Sequence, residues 1–385
     1  MKYIFTAILL FLLSYNSKAQ GWEDVSGGID DIVYDMIKFD NELYVGGRFY
    51  FGVKSWDGST WTNYPNLPGI GSILTLSVHN DTLYAGGGSP YQSSQSSVFR
   101  LINGGWEQIG GNFNKNPFSS TQQLISYDSL LISGGRFNTI GGVTIKNIAS
   151  WDGNVWDSMG DGLDSTVLHL EVHEDTLYAT GEFMASGSNT NVQNIAKWDG
   201  SNWISFDSNI VFSTTGPMKS FQGDLLIGNV WNNISGIEMK GIARWDGTNY
   251  SSMGDTIIKK IHEFWEFSNE LYIAADIFAS PPLILKRTVM KWNGTDWSQI
   301  GANFNQWIVC LEDYDNMLYC GGQFSAPTSH IGRYNPFLST NEYKLEDKEI
   351  VKVVDLTGRE IVEKPNTLLI YIYSDGTTKK VFRVE

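Results

Sequence analysis

The sequence predicts an all-β chain folded as a seven-bladed β-propeller. Three observations carry this expectation. A hairpin motif recurs seven times at a nearly constant period. A Trp-Asp-Gly motif recurs in step with it. One orphaned strand near the start matches one strand missing near the end. Composition agrees: 40 Gly, 14 Trp, 18 Tyr and 20 Phe among 385 residues imply many turns and aromatic-packed sheets. No long amphipathic helical pattern occurs.

The hairpin column starts at Leu43 in LYVGG. Its equivalents are Leu83, Leu131, Leu177, Leu225, Leu271 and Leu318, in steps of 40, 48, 46, 48, 46 and 47 residues. Four residues earlier stand Phe39, His79, Tyr127, His173, Phe221, Phe267 and Tyr314. Seven residues earlier stand Met36, Leu76, Leu124, Leu170, Met218, Phe264 and Leu311. A short polar turn separates these columns from the Leu, which is a hairpin signature. About 20 residues further on come WDGSTW from Trp56, WDGNVW from Trp151, WDGSNW from Trp198, WDGTNY from Trp245 and WNGTDW from Trp292. Asp-Gly and Asn-Gly favour the positive-φ turns of a second hairpin. The strand it opens begins at Trp61, Trp106, Trp156, Trp203, Tyr250 or Trp297, with an apolar residue three places later. Residues three apart face opposite sides, so this strand is expected to be buried on both faces.

Each unit is therefore four short strands in about 47 residues. Repeated sheets of this size stack face to face as propeller blades, because one such sheet cannot bury both of its faces alone. The seventh copy reaches Tyr334-Asn335 and has no Trp strand after it, whereas GWEDV from Gly21 is a Trp strand with no turn before it. Trp22 to Val25 is expected to pair into the seventh blade and close the ring, which removes an exposed sheet edge. The Gly-Gly doublet, followed by Tyr and Trp columns over about residues 21–337, resembles kelch-type propellers. Related arrays occur among exported proteins of Bacteroidota. The doublet is lost as Thr180-Gly181, Gly228-Asn229 and Ala274-Ala275.

Residues 1–19 read as a signal peptide: Lys2, the apolar run Ile4 to Leu13, and Ser17-Lys18-Ala19 before cleavage. The run is too short to span a bilayer, and no later segment is apolar enough. The chain has 42 acidic and 27 basic residues, net −15. Without the leader lysines Lys2 and Lys18 the balance is −17, which argues against nucleic acid as a partner. The propeller is expected over 20–337 and a charged linker over 338–349. A small β unit is expected over 350–385, in two apolar stretches with an Asp375-Gly376 turn. That unit resembles the C-terminal sorting domain of the type IX secretion system. The resemblance rests on Asp355, Gly358, Arg359, Ile370, Tyr371, Lys379 and Lys380, although Leu369 stands where the family has Gly. It implies export to the outer-membrane surface or the medium via the periplasm, with the type IX machinery as a partner.

Chemistry is harder to find. His169 and His173 share a strand face like a metal pair. His173, however, occupies a column of packing aromatics, as does His79, and no third ligand accompanies them. Eight residues before the Leu column stand Asp35, Thr75, Gln123, His169, Pro217, Glu263 and Cys310. These are expected to line the central channel, as a solvated wall or as ligand contacts, with Asp35, His169 and Glu263 as the candidates. Trp265 and Trp307 fall outside the aromatic columns and are candidates for a binding surface. Trp231 shares a column with Phe49, Phe137, Phe183 and Phe324 and is expected to pack. Cys310 and Cys320 flank a hairpin turn. Register decides whether they bond, so a disulfide and two free thiols both remain open. No catalytic set, metal site or cofactor motif stands out. The reading is a non-catalytic binding or adhesion module for an extracellular glycan or protein. The alternatives are a glycan lyase or hydrolase with a site at the channel mouth, or a surface scaffold.

Overall fold

A computed structural model describes residues 21–334 apart from 26, 28, 51, 65–66, 69, 89–94, 208–215, 232 and 280–283. In the tail it describes 350–354, 359, 368–373 and 378–382. The expected signal peptide and the sorting residues Asp355 and Gly358 lie outside the described residues. The chain divides into two compact units, one of them Gln20–Pro336. The other contains a three-stranded antiparallel sheet of Ile350–Val354, Leu368–Tyr373 and Thr378–Phe382. Tyr371, Lys379 and Lys380 are in those strands, and Arg359 is exposed before the second.

The larger unit is the seven-bladed propeller. Among the described residues there are seven antiparallel sheets of four blade strands each, in sequence order in six of them and completed in the seventh by the N-terminal strand, with one short extra hairpin on the second. The innermost strands are Val33–Phe39, Ile73–His79, Ser120–Tyr127, Val167–His173, Met218–Phe221, Ile258–Phe267 and Ile308–Tyr314. Each lies against the next, and the seventh lies against the first, so the ring closes. We number the blades 1 to 7 by these strands.

The repeated columns have repeated causes. Each inner hairpin turns on two consecutive positive-φ residues, such as Asp40-Asn41 at 48° and 61° and Asp315-Asn316 at 49° and 57°. This is the turn whose twist matches its flanking strands. Each Trp-Asp-Gly loop is held by its own carboxylate: Asp57 Oδ1 accepts from the backbone N–H of Ser59 and of Thr60, both at 2.7 Å. Asp152, Asp199, Asp246 and Asn293 repeat the arrangement. Across that loop the two aromatics pair, with ring centroids 5.1 Å apart for Trp56–Trp61 and 5.3 Å for Trp151–Trp156. The Leu column is buried throughout, each side chain contributing about 1.5–3 kcal/mol.

The Gly-Gly doublet has two separate tasks. A Cβ on the first Gly would strike the inner strand of the next blade: Ile73 at Gly46, Thr121 at Gly86, Val167 at Gly134 and Val33 at Gly321. A Cβ on the second would overlap a backbone carbonyl of its own hairpin, that of Ile32, Ser72, Ser120, Thr166 or Trp307. The doublet is thus a close-approach surface on both sides.

The outermost strand differs from its sequence expectation. Its end residues are buried, as with Trp156 and Met159 or Trp203 and Phe206, but Asp157 and Ser158 between the first pair are exposed. It is the edge of a twisted blade, so only its two apolar anchors reach the neighbours.

Closure follows the expected bookkeeping of strands. Trp22–Asp24 pairs with Ile331–Tyr334, placing Trp22 opposite Tyr334, Glu23 opposite Arg333 and Asp24 opposite Gly332. The Trp22–Tyr334 ring distance is 5.3 Å, so these two strands rebuild the aromatic pair that blades 1, 3, 4 and 6 make across a loop. Trp22 also meets Phe304 of blade 6 at 5.5 Å. Replacing Trp22 by Ala is expected to lower unfolding stability by about 3–5 kcal/mol, read as a drop in denaturant midpoint. A midpoint within error of the wild type would mean that the ring does not depend on this clasp.

Candidate functional site

The inner strands carry most of the candidate residues, and their first task is structural. Asp35 Oδ2 accepts from the N–H of Leu76 in blade 2 at 2.6 Å. Thr75 Oγ1 accepts from Leu124 of blade 3 at 3.0 Å. Gln123 Oε1 accepts from Leu170 of blade 4 at 2.6 Å. Glu263 Oε2 accepts from Leu311 of blade 7. Four members of one sequence column therefore latch each blade to the backbone of the next. Where that column does not serve, a position two residues on does in blades 4 and 7, and the second strand supplies the acceptor in blade 5. Glu171 Oε1 accepts from Ser220 at 2.8 Å, Asn229 Oδ1 from Ile261 at 2.7 Å and Glu312 Oε2 from Lys38 at 3.3 Å. All seven junctions of the ring carry such a latch.

Burial in the narrow ring sets the protonation of these groups. Desolvation pushes Asp35 up to about 7, against the lowering effect of its backbone partners. Glu312 is pushed up to about 8 by the same cause. Glu263 is raised well above the usual carboxylate range by burial and then by the nearby Asp35. Glu171 is also raised by burial. His169 moves the other way, down to about 4, because it is buried and faces Lys260 and His262. His169 is neutral near pH 7 and takes no part in a latch.

The two tryptophans are not brought together. Trp265 lies three residues before the turn at Ser268-Asn269, half-buried, with the Lys219 ammonium 5.8 Å from its ring centre. Trp307 lies just before the inner strand of blade 7, at the opposite end of the ring. It is 45 % exposed. Around it stand Lys260, with Nζ 5.9 Å from the ring centre, and His262, with ring centres 6.4 Å apart. His262 Nε2 is 3.4 Å from the Asp276 carboxylate, and Arg287 Nε is 3.8 Å from it. Lys259 Nζ sits 5.5 Å over Phe278.

Blade 6 is built to display these groups. Its inner strand has ten residues where those of blades 1, 2, 4 and 7 have seven. Three further residues extend a strand by about 10 Å. The inner strands of blades 1 to 4 and 7 each show one register shift near the start. Blade 6 has that shift, around His262, and a second one between Ile258 and Lys260. Bulges re-aim side chains, and here they fall at the residues beside Trp307.

Several sequence expectations need correction or filling. Trp231 does not pack like its Phe column, being 44 % exposed while Phe49, Phe137, Phe183 and Phe324 are buried. A register shift between Gly228 and Val230, with Asn229 at φ 58°, turns Val230 inward and moves Trp231 out. Cys310 and Cys320 are free thiols. Register places Cys310 opposite Gly321 and Cys320 opposite Leu311, so their side chains leave opposite faces of the blade. Cys310 packs with Val33 and Met36, and Cys320 with Phe304 and Ile308. His79 and His173 are buried, bonded through Nδ1 to Ser126 and Ser220 and packed on Tyr84 and Tyr178. Among the described residues, no group of three or more His, Cys, Asp or Glu could hold a metal ion. Lys260, His262, Lys286 and Arg287 were not singled out from sequence. The signal was present as two basic pairs, Lys259-Lys260 and Lys286-Arg287, in an acidic chain.

The raised carboxyls set the sign of the pH dependence. A carboxyl whose folded pKa is raised holds a proton that the unfolded chain has already released. Its stabilisation is complete below the unfolded value and fades as pH rises through the folded value. Wild-type stability is therefore expected to fall from about pH 5 to 8. Glu263→Gln keeps an acceptor for Leu311 and removes one titration, so its midpoint should gain on the wild type as pH rises. Glu263→Ala should lose about 1–3 kcal/mol at pH 5, because it orphans that N–H, and the deficit should narrow as pH rises because the same titration is removed. Urea midpoints between pH 5 and 8 test this; parallel curves for wild type and Glu263→Gln would mean that Glu263 is ionised.

No protein-family model matches this chain, and no curated protein matches it. One similar solved structure is the crystal structure of the computationally designed Ika8 protein. It shares 12% sequence identity and a TM-score of 0.44, covering 78% of this chain and 83% of that one. A superposition that loose carries no argument, and the propeller rests on the strand pairing alone.

Proposed function

We propose that this chain is an exported, non-catalytic binding or adhesion module for an extracellular glycan or protein, and that its ligand meets the ring at the blade 6 mouth. One observation carries the reading: an exposed Trp307 flanked by Lys260 and His262 on a bulged edge of the ring. Exposed aromatic and cationic side chains on a preformed scaffold suit recognition. The carboxyls that a glycan lyase or hydrolase would use, Asp35 and Glu263, are engaged in holding blades together. Binding of the full chain to a panel of polysaccharides and matrix proteins, with product analysis on the same samples, tests the reading. Saturable binding without product is expected, weakened by Trp307→Ala. Turnover that is lost in Glu263→Gln would replace it with the enzyme alternative. Absence of both would favour the scaffold role.

The address belongs to the same proposal. The leader and the Asp355, Gly358, Arg359 tail motif support export by a type IX route, and the Gly-Gly and Trp columns support a kelch-type origin. In a host with that machinery, the mature protein is expected outside the cell, beginning near Gln20 and lacking the tail. Retention in the periplasm of a chain carrying Arg359→Ala and Lys379→Ala is the expected loss of function. Normal export of that variant would sink the sorting assignment.

A further inference from the structure

We infer that the mouth of blade 6 selects an anionic polysaccharide, its sugar ring lying on Trp307 and its acidic groups on the flanking cations. This rests on the binding-module reading and names the ligand class for the same site. The first support is local charge. The mouth-side parts of the blade 6 strands, 258–262, 276–279 and 284–288, carry Lys259, Lys260, Lys286 and Arg287. Asp276 is the one carboxylate among them. That carboxylate is 5% exposed and already faces His262 and Arg287, so it does not neutralise the outer lysines. The whole chain is net −15. A positive spot on such a surface concentrates an anionic ligand at one place and leaves the rest of the ring repulsive.

The second support is the form of the aromatic surface. Trp307 takes the position before the inner strand that Ile32, Ser72, Ser120 and Thr166 take in other blades. Those residues are small or tucked in, whereas the indole of Trp307 is left in solvent beside the Lys260 ammonium. A flat apolar face next to a cation matches a pyranose ring, which presents C–H groups on one face and a charged substituent at its rim. An acidic peptide offers charge but no such face. The extra register shift in blade 6, between Ile258 and Lys260, supplies the third support. It falls where Lys259 and Lys260 are displayed, and the other inner strands lack it among the described residues.

The test is titration of the full chain with polygalacturonate, dextran sulfate, neutral dextran and poly-L-glutamate at two salt concentrations. Binding of one or both anionic polysaccharides is expected, weaker at high salt and at least about tenfold weaker in Trp307→Ala. Lys260→Gln should weaken it about tenfold and reduce the salt dependence. Which polymer binds separates a carboxylated sugar from a sulfated one. Both side chains are exposed, so unchanged melting temperatures of the variants serve as the folding control. Poly-L-glutamate binding as tightly as the polysaccharides, with Trp307→Ala unaffected, would reduce the site to a polyanion patch and overturn the inference. Equal binding of neutral dextran would overturn the charge selection while leaving the binding module intact. No binding of any of the four overturns the inference. The binding-module reading falls with it only if the wider glycan and protein panel is also silent.

Discussion

Every junction of the ring depends on one polar contact repeated with different chemistry. A side chain on the inner hairpin of one blade, on its inner strand in six blades and on the second strand in blade 5, accepts a hydrogen bond from a backbone N–H on the inner strand of the next. Asp35, Thr75, Gln123, Glu171, Asn229, Glu263 and Glu312 perform it in turn. An inner strand pairs with its own hairpin on one side only, so its other row of N–H groups faces the narrow channel. Leaving such groups buried and unmatched is costly. The latch satisfies them and fixes the register between sheets that otherwise touch only through apolar side chains, which specify position less sharply. Its cost is the burial of ionisable groups, which is why Asp35 and Glu312 are pushed up to about 7 and about 8.

Blade 2 carries an extra hairpin, and a second group of departures from the repeat lies in blades 4 to 6, where the candidate site is. In blade 4 the latch passes from the His169 column to Glu171, which frees His169. In blade 5 Pro217 has no acidic side chain to offer, and Asn229 reaches across instead, at a register shift that also expels Trp231. Blade 6 loses the Gly doublet to Ala274-Ala275, lengthens its strands and gains a second bulge. These departures converge on one side of one end of the channel. Local departure from a repeat that is consistent elsewhere is the expected mark of a site that selection has used for something besides folding.

Much of the architecture was legible because a repeat makes the sequence its own alignment. The Leu, aromatic and Trp-Asp-Gly columns identify seven hairpins, and the orphaned Trp22 strand identifies how the ring closes. Burial of the outer strand was overestimated, since apolar residues three apart show only that two anchors are buried. The column containing Asp35 and Glu263 was recognised, but its partners lie 41 and 48 residues away, in another sheet. No local pattern discloses that contact.

By itself, the sequence determined the strand content, the seven-fold repeat, the turns and the strand that closes the circle. Each of these is fixed by short-range backbone preferences and by which residues cannot remain in water. Only the tertiary structure decided which side chains latch the blades and which thiols face apart. It also decided that Trp307 stands exposed among cations while Trp265 is half-buried at the other end. Those outcomes depend on register shifts of one residue, and a one-residue shift reverses the face of every side chain beyond it.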